Sequence, residues 1–182
     1  MDHADHVGLI RSAVEGAGPR WLELGAGDGA FTMALADLLG PEARIMANDR
    51  DGRVLRMLAQ KVGNAFPAIA LETRVFDFTD GMPYGPFDGI LAANSLHFVR
   101  DRDPTLRAMR YALAPNGRLV IVEYDADRGN PWVPYPFSFQ TWRREAVTAG
   151  YAEPRFVHRV PSRFLGAIYS AVTQVAGEHP AA

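Results

Sequence analysis

Apolar residues along this chain alternate between short continuous runs and runs with helical spacing. The continuous runs predict buried strands at residues 21–24, 44–47, 69–76, 87–93 and 118–123. The helical spacing predicts an N-terminal helix at 3–15 and further helices at 31–39, 51–62, about 103–114 and 138–149. This alternation is typical of βαβ units around a parallel sheet.

The last two predicted strands, Arg155 to Val160 and Phe164 to Val172, are separated by only residues 161–163. A parallel crossover needs about a dozen residues or more, so this pair must be antiparallel. The chain shows no internal repeat, low-complexity tract or linker. We therefore expect one α/β domain over 1–182, with a short N-terminal helix at 3–16, a core at 20–172 and a loose tail at 177–182.

Composition excludes several classes of protein and site. The 182 residues are 48% hydrophobic and carry a net charge of −2, so nucleic acid is not an expected partner. There is no cysteine, which excludes disulfides and thiolate metal sites, and we expect no metal. No apolar run approaches the roughly 20 residues that a membrane span needs, and the N-terminus lacks the apolar region of a signal peptide. A cytoplasmic location is the expectation.

The stretch from Trp21 to Phe31 reads as a strand, a glycine turn and the start of a helix. Gly25 and Gly27 lack a Cβ, so the backbone can turn sharply and let a ligand approach closely. The spacing of Gly25, Gly27 and Ala30 fits the dinucleotide pattern G-x-G-x-x-G/A, and Asp49 lies near the distance expected of a ribose-binding acid. The turn alone predicts a bound small molecule without saying which one.

Five predicted strands end in polar or otherwise notable residues. In an open α/β sheet, ligands bind beyond the carboxyl ends of the strands. These ends carry Glu23 to Gly29, Asp49, Asp77-Phe78, Asn94 to His97, and Glu123-Tyr124. The set predicts one site along this edge of the sheet.

Together these motifs resemble the class I S-adenosylmethionine-dependent methyltransferases, most closely the small-molecule branch of the ubiquinone/menaquinone-biosynthesis type. The resemblance covers about Arg20 to Val172. The matching motifs are acid-Leu-Gly-x-Gly-x-Gly at 23–29, Asp49, Asp77-Phe78, Phe-Asp-x-Ile at 87–90, Asn-Ser-Leu-His-Phe at 94–98 and Leu-x-Pro-Asn-Gly at 113–117. It implies a Rossmann-like three-layer sandwich, whose mostly parallel seven-stranded sheet has one antiparallel strand in a C-terminal hairpin.

The resemblance also implies S-adenosylmethionine as the cofactor. Gly25 and Gly27 would let its methionine part lie on the backbone, and Glu23 would lie near its ammonium group, directly or through water. Asp49 would accept both ribose hydroxyls, which needs an acceptor-only side chain. The predicted cofactor residues are Glu23, Gly25, Ala26, Gly27, Asp49, Arg50, Asp77, Phe78 and Asn94.

Three of these residues are predicted to surround the adenine. Arg50 and Phe78 would flank the ring, and Asp77 would accept a hydrogen bond from its amino group. For Asp77 and Asp49 the alternative is a solvated acid at the end of a strand.

The candidate residues around the methyl acceptor are less specific. His97 is the candidate general base because its pKa is naturally near neutrality, or it packs structurally instead. Tyr124, Trp132 and Tyr135 are candidate contacts to the acceptor. The aromatic loop at 130–139 could stack on a planar apolar acceptor, cover the sheet or form the interface of a homodimer. We expect transfer by SN2 to a small, apolar or aromatic acceptor.

Two other functions remain open at this point. A non-catalytic S-adenosylmethionine-binding regulator would keep the fold without turnover. An NAD(P)-dependent oxidoreductase would share the glycine turn, but the terminal hairpin, the acid before Gly25 and the stretch from Asn94 to His97 count against it.

Overall fold

The computed structural model describes residues 1–177 and alternates strands with helices along most of its length. The strands are β1 (Arg20–Leu24), β2 (Arg44–Asp49), β3 (Ala70–Val75), β4 (Phe87–Ala93), β5 (Leu113–Tyr124), β6 (Arg155–Ser162) and β7 (Gly166–Gln174). The α-helices are α1 (His3–Val14), α2 (Ala30–Leu39), α3 (Gly52–Ala65), α4 (Asp103–Ala112) and α5 (Phe139–Thr148). Beyond Gly177, the predicted loose tail lies outside the described residues.

All of these strands form one seven-stranded sheet in the order β3-β2-β1-β4-β5-β7-β6. Strands β1 to β5 pair in parallel, whereas β7 runs antiparallel to both β5 and β6. The predicted Rossmann-like fold with a reversed strand in the C-terminal hairpin is therefore confirmed. The connection after β1 leads to β2 on one side, whereas the connection after β4 leads to β5 on the other, and this reversal opens a crevice at the carboxyl ends of β1 and β4.

Both faces of the sheet are covered, so the central strands are apolar on both sides. Successive side chains of a strand point to opposite faces. Trp21 packs with α1 and α2, whereas Leu22 and Leu24 pack with α4 and α5. Helix α3 packs through Leu55 and its apolar neighbours beside α2. None of the helices in residues 1–177 is long and apolar enough to cross a membrane.

Several predicted helix ends differ from the structure by one to three residues; α4, for example, ends at Ala112 rather than at about 114. Helix α1 ends at Val14 rather than at 15 or 16. Helix α3 runs through Gly63 to Ala65, although the sequence predicts its end at 62. A glycine inside a helix costs only about 1 kcal/mol relative to alanine, so it need not end one.

Strand β5 begins at Leu113, five residues before the predicted start. Leu113 pairs with Phe87 and Arg118 pairs with Gly89, so the residues between Leu113 and Arg118 bulge out of the ladder. A Cβ on Gly117 would lie 2.8 Å from the carbonyl oxygen of Phe87, which explains why glycine stands there. The turn predicted from Pro-Asn-Gly is thus a bulge within the paired segment.

Candidate active site

A cavity of about 320 Å³ opens beyond the carboxyl ends of β1, β2 and β4. Its walls come from the glycine turn, the ends of β2 and β4 and the segment after β3. The lining residues are Gly25, Asn48, Asp49, Arg50, Asp77, Phe78, Thr79, Asn94, Ser95, Phe98 and Val99. Six of the nine predicted cofactor residues are among them. Of the other three, Ala26 and Gly27 lie within the glycine turn and Glu23 lies behind it.

The glycine turn fits against the end of β4 only because Gly25 lacks a side chain. Gly25 has a φ of +72°, and a Cβ there would lie 2.5 Å from the Cβ of Ser95. The Ala26 N–H donates to the Asn48 carbonyl at 2.7 Å, which ties the turn to β2. Helix α2 begins after Gly29 without a side-chain cap, so its first N–H groups remain available to a ligand.

Asp49 joins the glycine turn to the start of α3. Its Oδ2 accepts a hydrogen bond from the Gly27 N–H at 2.9 Å, and its Oδ1 accepts one from the Asp51 N–H at 2.9 Å. A carboxylate has about four acceptor positions, so each oxygen keeps one for a further donor. The carboxylate is thus both fixed in place and able to receive two hydroxyls.

At the far end of the cavity, Arg50 and Asp77 form an ion pair with Nη1 and Oδ2 3.4 Å apart. The hydroxyl and backbone N–H of Thr79 hold the pKa of Asp77 below its ordinary value, and Arg50 adds to this. Phe78 is nearly buried beside them. An apolar ring next to a charged pair suits a flat heterocycle with polar edges. No sequence motif marks Thr79 as a residue of this cavity.

Three buried polar atoms that belong to cavity residues have no hydrogen-bond partner among the described residues: Asn48 Oδ1, Asn94 Oδ1 and Ser95 Oγ. Asn94 also has a φ of +50°, a conformation that non-glycine residues rarely adopt. Buried polar groups are nearly always paired, so three orphans around one cavity indicate that a polar ligand completes them. The residues present therefore fit a polar cofactor.

Glu23 lies behind the glycine turn rather than in the cavity wall, and only 2% of its surface is exposed. Its Oε2 accepts a hydrogen bond from the Thr32 hydroxyl at 2.5 Å. Burial raises the pKa of Glu23 to about 8. Gly27 does not line the cavity either, and its N–H donates to Asp49 Oδ2.

His97 and Glu123 form a buried pair beside the cavity. His97 Nδ1 and Glu123 Oε2 are 2.7 Å apart, and both side chains are almost fully buried. Glu123 Oε1 accepts from the backbone N–H groups of Ser95, Leu96 and His97, at 3.1, 2.9 and 3.3 Å. An ionised carboxylate only accepts, so Nδ1 carries the proton and Nε2 is left as the basic nitrogen. The sequence analysis noted Glu123 as a strand end without giving it this role.

The three predicted acceptor residues lie outside the cavity wall. The ring of Tyr124 lies 5.8 Å from that of His97, centre to centre. Tyr135 is bonded to the turn that carries His97, because its N–H donates to the His97 carbonyl at 3.0 Å. Trp132 is 71% exposed and contacts Phe164, which the sequence analysis did not single out. Within residues 1–177, no three His, Asp or Glu side chains gather where they could hold a metal ion.

Comparison with known proteins identifies the family. A family described as "Methyltransferase domain" matches residues 22–119, more than half of the 182-residue chain. The chain belongs to this methyltransferase family. The resemblance to class I S-adenosylmethionine-dependent methyltransferases is confirmed, and S-adenosylmethionine is the cofactor.

Individual relatives agree with this assignment at modest identity. The ubiquinone/menaquinone biosynthesis C-methyltransferase UbiE of Pasteurella multocida is 29% identical over 109 residues, 59% of this chain. The chain covers 40% of the length of that relative. YcgJ of Bacillus subtilis has the same fold, with a TM-score of 0.76 at 13% identity over 96% of this chain and 100% of its own. DhpI, in a complex with SAH, superposes with a TM-score of 0.73 at 20% identity over 96% of this chain and 85% of its own.

Proposed function

We propose that this methyltransferase transfers a methyl group to a small apolar or aromatic acceptor that gives up a proton as it is methylated. The buried pair of His97 and Glu123 carries the proposal, because a histidine held by a carboxylate is a general base. Phe98, the next residue after His97, lines the cofactor cavity. The proposed base would therefore lie close to the bound cofactor. Bound S-adenosylmethionine supplies an electrophilic methyl group on a sulfonium.

Each part of the cavity suits one part of the cofactor. Gly25 and its neighbours Ala26 and Gly27 would carry the amino-acid part on their backbone. Glu23 would act on the ammonium group through water, since it lies behind the turn. The two free acceptor positions of Asp49 suit the ribose hydroxyls.

The far end of the cavity would receive the adenine. Phe78 would pack on one face of the ring, with Arg50 opposite it, and Asp77 would accept from the exocyclic amino group. The orphaned amide oxygen of Asn94 would accept a hydrogen bond from a polar group of the cofactor.

The acceptor's proton would move to His97 Nε2. Glu123 holds the imidazole in the tautomer that leaves this nitrogen unprotonated, and it stabilises the imidazolium that forms. Transfer would form a bond from the acceptor's oxygen or carbon to the methyl group while the bond from sulfur to methyl breaks, and the cofactor would leave as a neutral thioether. The proton later leaves His97 for water.

An apolar or aromatic acceptor is supported by the rings around His97. Tyr124 lies against the imidazole, and Trp132 and Tyr135 come from the aromatic loop that is bonded to the same turn. Burial and the neighbouring Glu123 raise the pKa of Tyr124, so its hydroxyl stays protonated and can donate a hydrogen bond. The name of the Pasteurella relative, a C-methyltransferase of quinone biosynthesis, adds support for a carbon acid in a planar molecule. A cytoplasmic location and a homodimer stay predictions from the sequence.

Calorimetry with S-adenosylmethionine, S-adenosylhomocysteine and NAD tests the cofactor assignment. The first two should bind and NAD should not. A methylation screen of phenols and 1,3-dicarbonyl compounds, acceptors with an acidic O–H or C–H, then tests the chemistry. Binding of NAD alone would overturn the proposed function.

A further inference from the structure

A row of five aromatic rings leads from the cofactor cavity to the outer surface. In order, its members are Phe98, His97, Tyr124, Phe164 and Trp132, which we call the aromatic row. Neighbouring ring centres are between 4.3 and 6.4 Å apart, within the range of aromatic contacts. The row begins in the cavity wall at Phe98 and passes the proposed base.

Three members of the row expose much of their apolar surface, whereas His97 is buried. Phe98 is 54% exposed, Phe164 is 49% exposed and Trp132 is 71% exposed. The other two tryptophans, Trp21 and Trp142, are fully buried. Single exposed rings need no explanation, but a connected group of them marks a surface that binds something apolar.

Trp132 stands on a loop whose backbone is fixed. The Asn130 side chain accepts hydrogen bonds from the N–H groups of Trp132 and Val133, both at 2.9 Å. Val133 is buried, and the Tyr135 N–H is bonded to the His97 carbonyl. The exposed ring is thus displayed by an ordered loop, and little backbone entropy would be lost when a ligand packs on it.

Phe164 reaches the row from the opposite side, on the turn between β6 and β7. Its N–H donates to the Ser162 hydroxyl at 3.2 Å. The end of β5 is tied to the start of β7, because the Asp125 N–H donates to the Ala167 carbonyl at 3.0 Å. The C-terminal hairpin and the aromatic loop therefore meet beside Tyr124.

We propose that the aromatic row is the acceptor-binding surface, and that Phe164 and Trp132 select acceptors whose planar apolar part extends beyond the reacting group. This rests on the proposed function, since it takes His97 as the reacting position. A single-ring acceptor at His97 would contact Phe98 and Tyr124. A second fused ring would extend along Tyr124 toward Phe164 and Trp132.

Binding of phenol and 2-naphthol to the protein saturated with S-adenosylhomocysteine tests the proposal. Each aromatic contact contributes about threefold to tenfold in affinity. By calorimetry, the unaltered protein should bind 2-naphthol about tenfold more tightly than phenol. Phe164→Ala and Trp132→Ala should each reduce this preference to about threefold, since each removes one of two contacts, and should keep the affinity for phenol. Tyr111→Ala, which removes an exposed ring of α4 outside the row, should keep the preference.

Acrylamide quenching gives a second measurement, because Trp132 is the only exposed tryptophan of the three, all of which lie in the described residues. Bound 2-naphthol should protect it more than phenol does. An unchanged preference in Phe164→Ala and Trp132→Ala, or no preference in the unaltered protein, would overturn the proposal. So would a dimer in sedimentation that Trp132→Ala converts to a monomer, since a second copy would then cover the row. Failure of S-adenosylhomocysteine to bind would instead overturn the proposed function.

Discussion

The two sides of this site are built from different kinds of groups. The cofactor side uses backbone N–H groups and short polar side chains at strand ends, such as Gly25, Asp49 and Asn94. The proposed acceptor side uses large aromatic rings on a loop and a hairpin, such as Trp132 and Phe164. Strand ends are fixed by the whole sheet, whereas a loop can change its side chains without changing the fold. Under the proposed function, the sheet therefore fixes the cofactor side, whereas the loops supply the acceptor side.

The turn after β4 belongs to both sides. Asn94 and Ser95 line the cofactor cavity, whereas His97 turns toward Glu123 on β5. The carboxylate of Glu123 receives three backbone N–H groups of this turn, so it shapes the turn as well as holding the imidazole. A substitution on one side of the site should therefore affect one step, binding or transfer, more than the other.

The largest effect is expected from His97→Ala. Removing the general base should lower kcat about 10²- to 10⁴-fold, while the Kd of S-adenosylhomocysteine stays nearly unchanged. The measurement is steady-state methyl transfer to an acceptor found in the screen, with calorimetry beside it. Added imidazole should restore part of the activity, which a merely structural role would not allow.

Glu123→Gln is the matched variant for that prediction. It keeps an acceptor oxygen and the shape of the side chain but removes the charge that orients the imidazole. We expect a smaller loss in kcat than in His97→Ala. Full activity of His97→Ala would remove this residue from the mechanism and break the distinction between the two sides.

On the cofactor side, Asp49→Ala should weaken the binding of S-adenosylmethionine by about 1.5–3 kcal/mol, the cost of losing hydrogen bonds to a charged acceptor. Calorimetry measures it, and kcat at saturating cofactor should change little. Asp51→Ala is the control, because Asp51 caps α3 without lining the cavity. That variant should lose about 1 kcal/mol of stability and keep the cofactor Kd. Equal Kd values for Asp49→Ala and the unaltered protein would show that Asp49 is not the ribose ligand.

The smallest effect concerns Glu23 and pH. Its pKa in the folded protein is about 8, above the ordinary 4.5, so the folded state holds a proton that the unfolded state has lost. The free energy of unfolding should therefore fall as the pH rises through 8, by about 1.4 kcal/mol between pH 7 and 9. Urea unfolding of the ligand-free protein measures this. The pKa values of Asp51, Asp77 and His6 are lowered, and that of Tyr124 is raised from 10. None of these four groups therefore has its folded-state pKa between pH 7 and 9.

Glu23→Gln should remove that pH dependence, because an amide does not titrate. Glu42→Gln, at an exposed position, should retain it. A pH dependence that is the same in Glu23→Gln and in the unaltered protein would contradict the assignment of the effect to this buried carboxyl.

Much of the cofactor side could be predicted from the sequence. Gly25 must be a glycine because of its φ and its contact with Ser95, and such needs leave a pattern of fixed residue types at fixed spacing. Thr79 was not predicted, because many polar residues could donate a hydrogen bond to Asp77 equally well. The position of Glu23 behind the turn escaped too, since the motif records an acid but not the direction of its side chain.

The acceptor side was much less predictable. The pairing of His97 with Glu123 depends on β4 and β5 lying side by side, although the two residues are 26 positions apart in the chain. Phe164 carries no signal in the sequence, where it reads as the first residue of a strand. Its contact with Trp132 exists only because the hairpin folds back beside β5.

The sequence by itself determined the order of strands and helices, the reversed final pair, the family and the cofactor. The order of the elements and the reversed final pair follow from apolar periodicity and the short link before the last strand. The family and the cofactor follow from the resemblance of the strand-end motifs to known methyltransferases. Only the tertiary structure decided which side chains meet, because neighbouring strands and loops bring together residues that are far apart in the chain. For that reason the glycine turn was readable in advance, whereas the aromatic row was not.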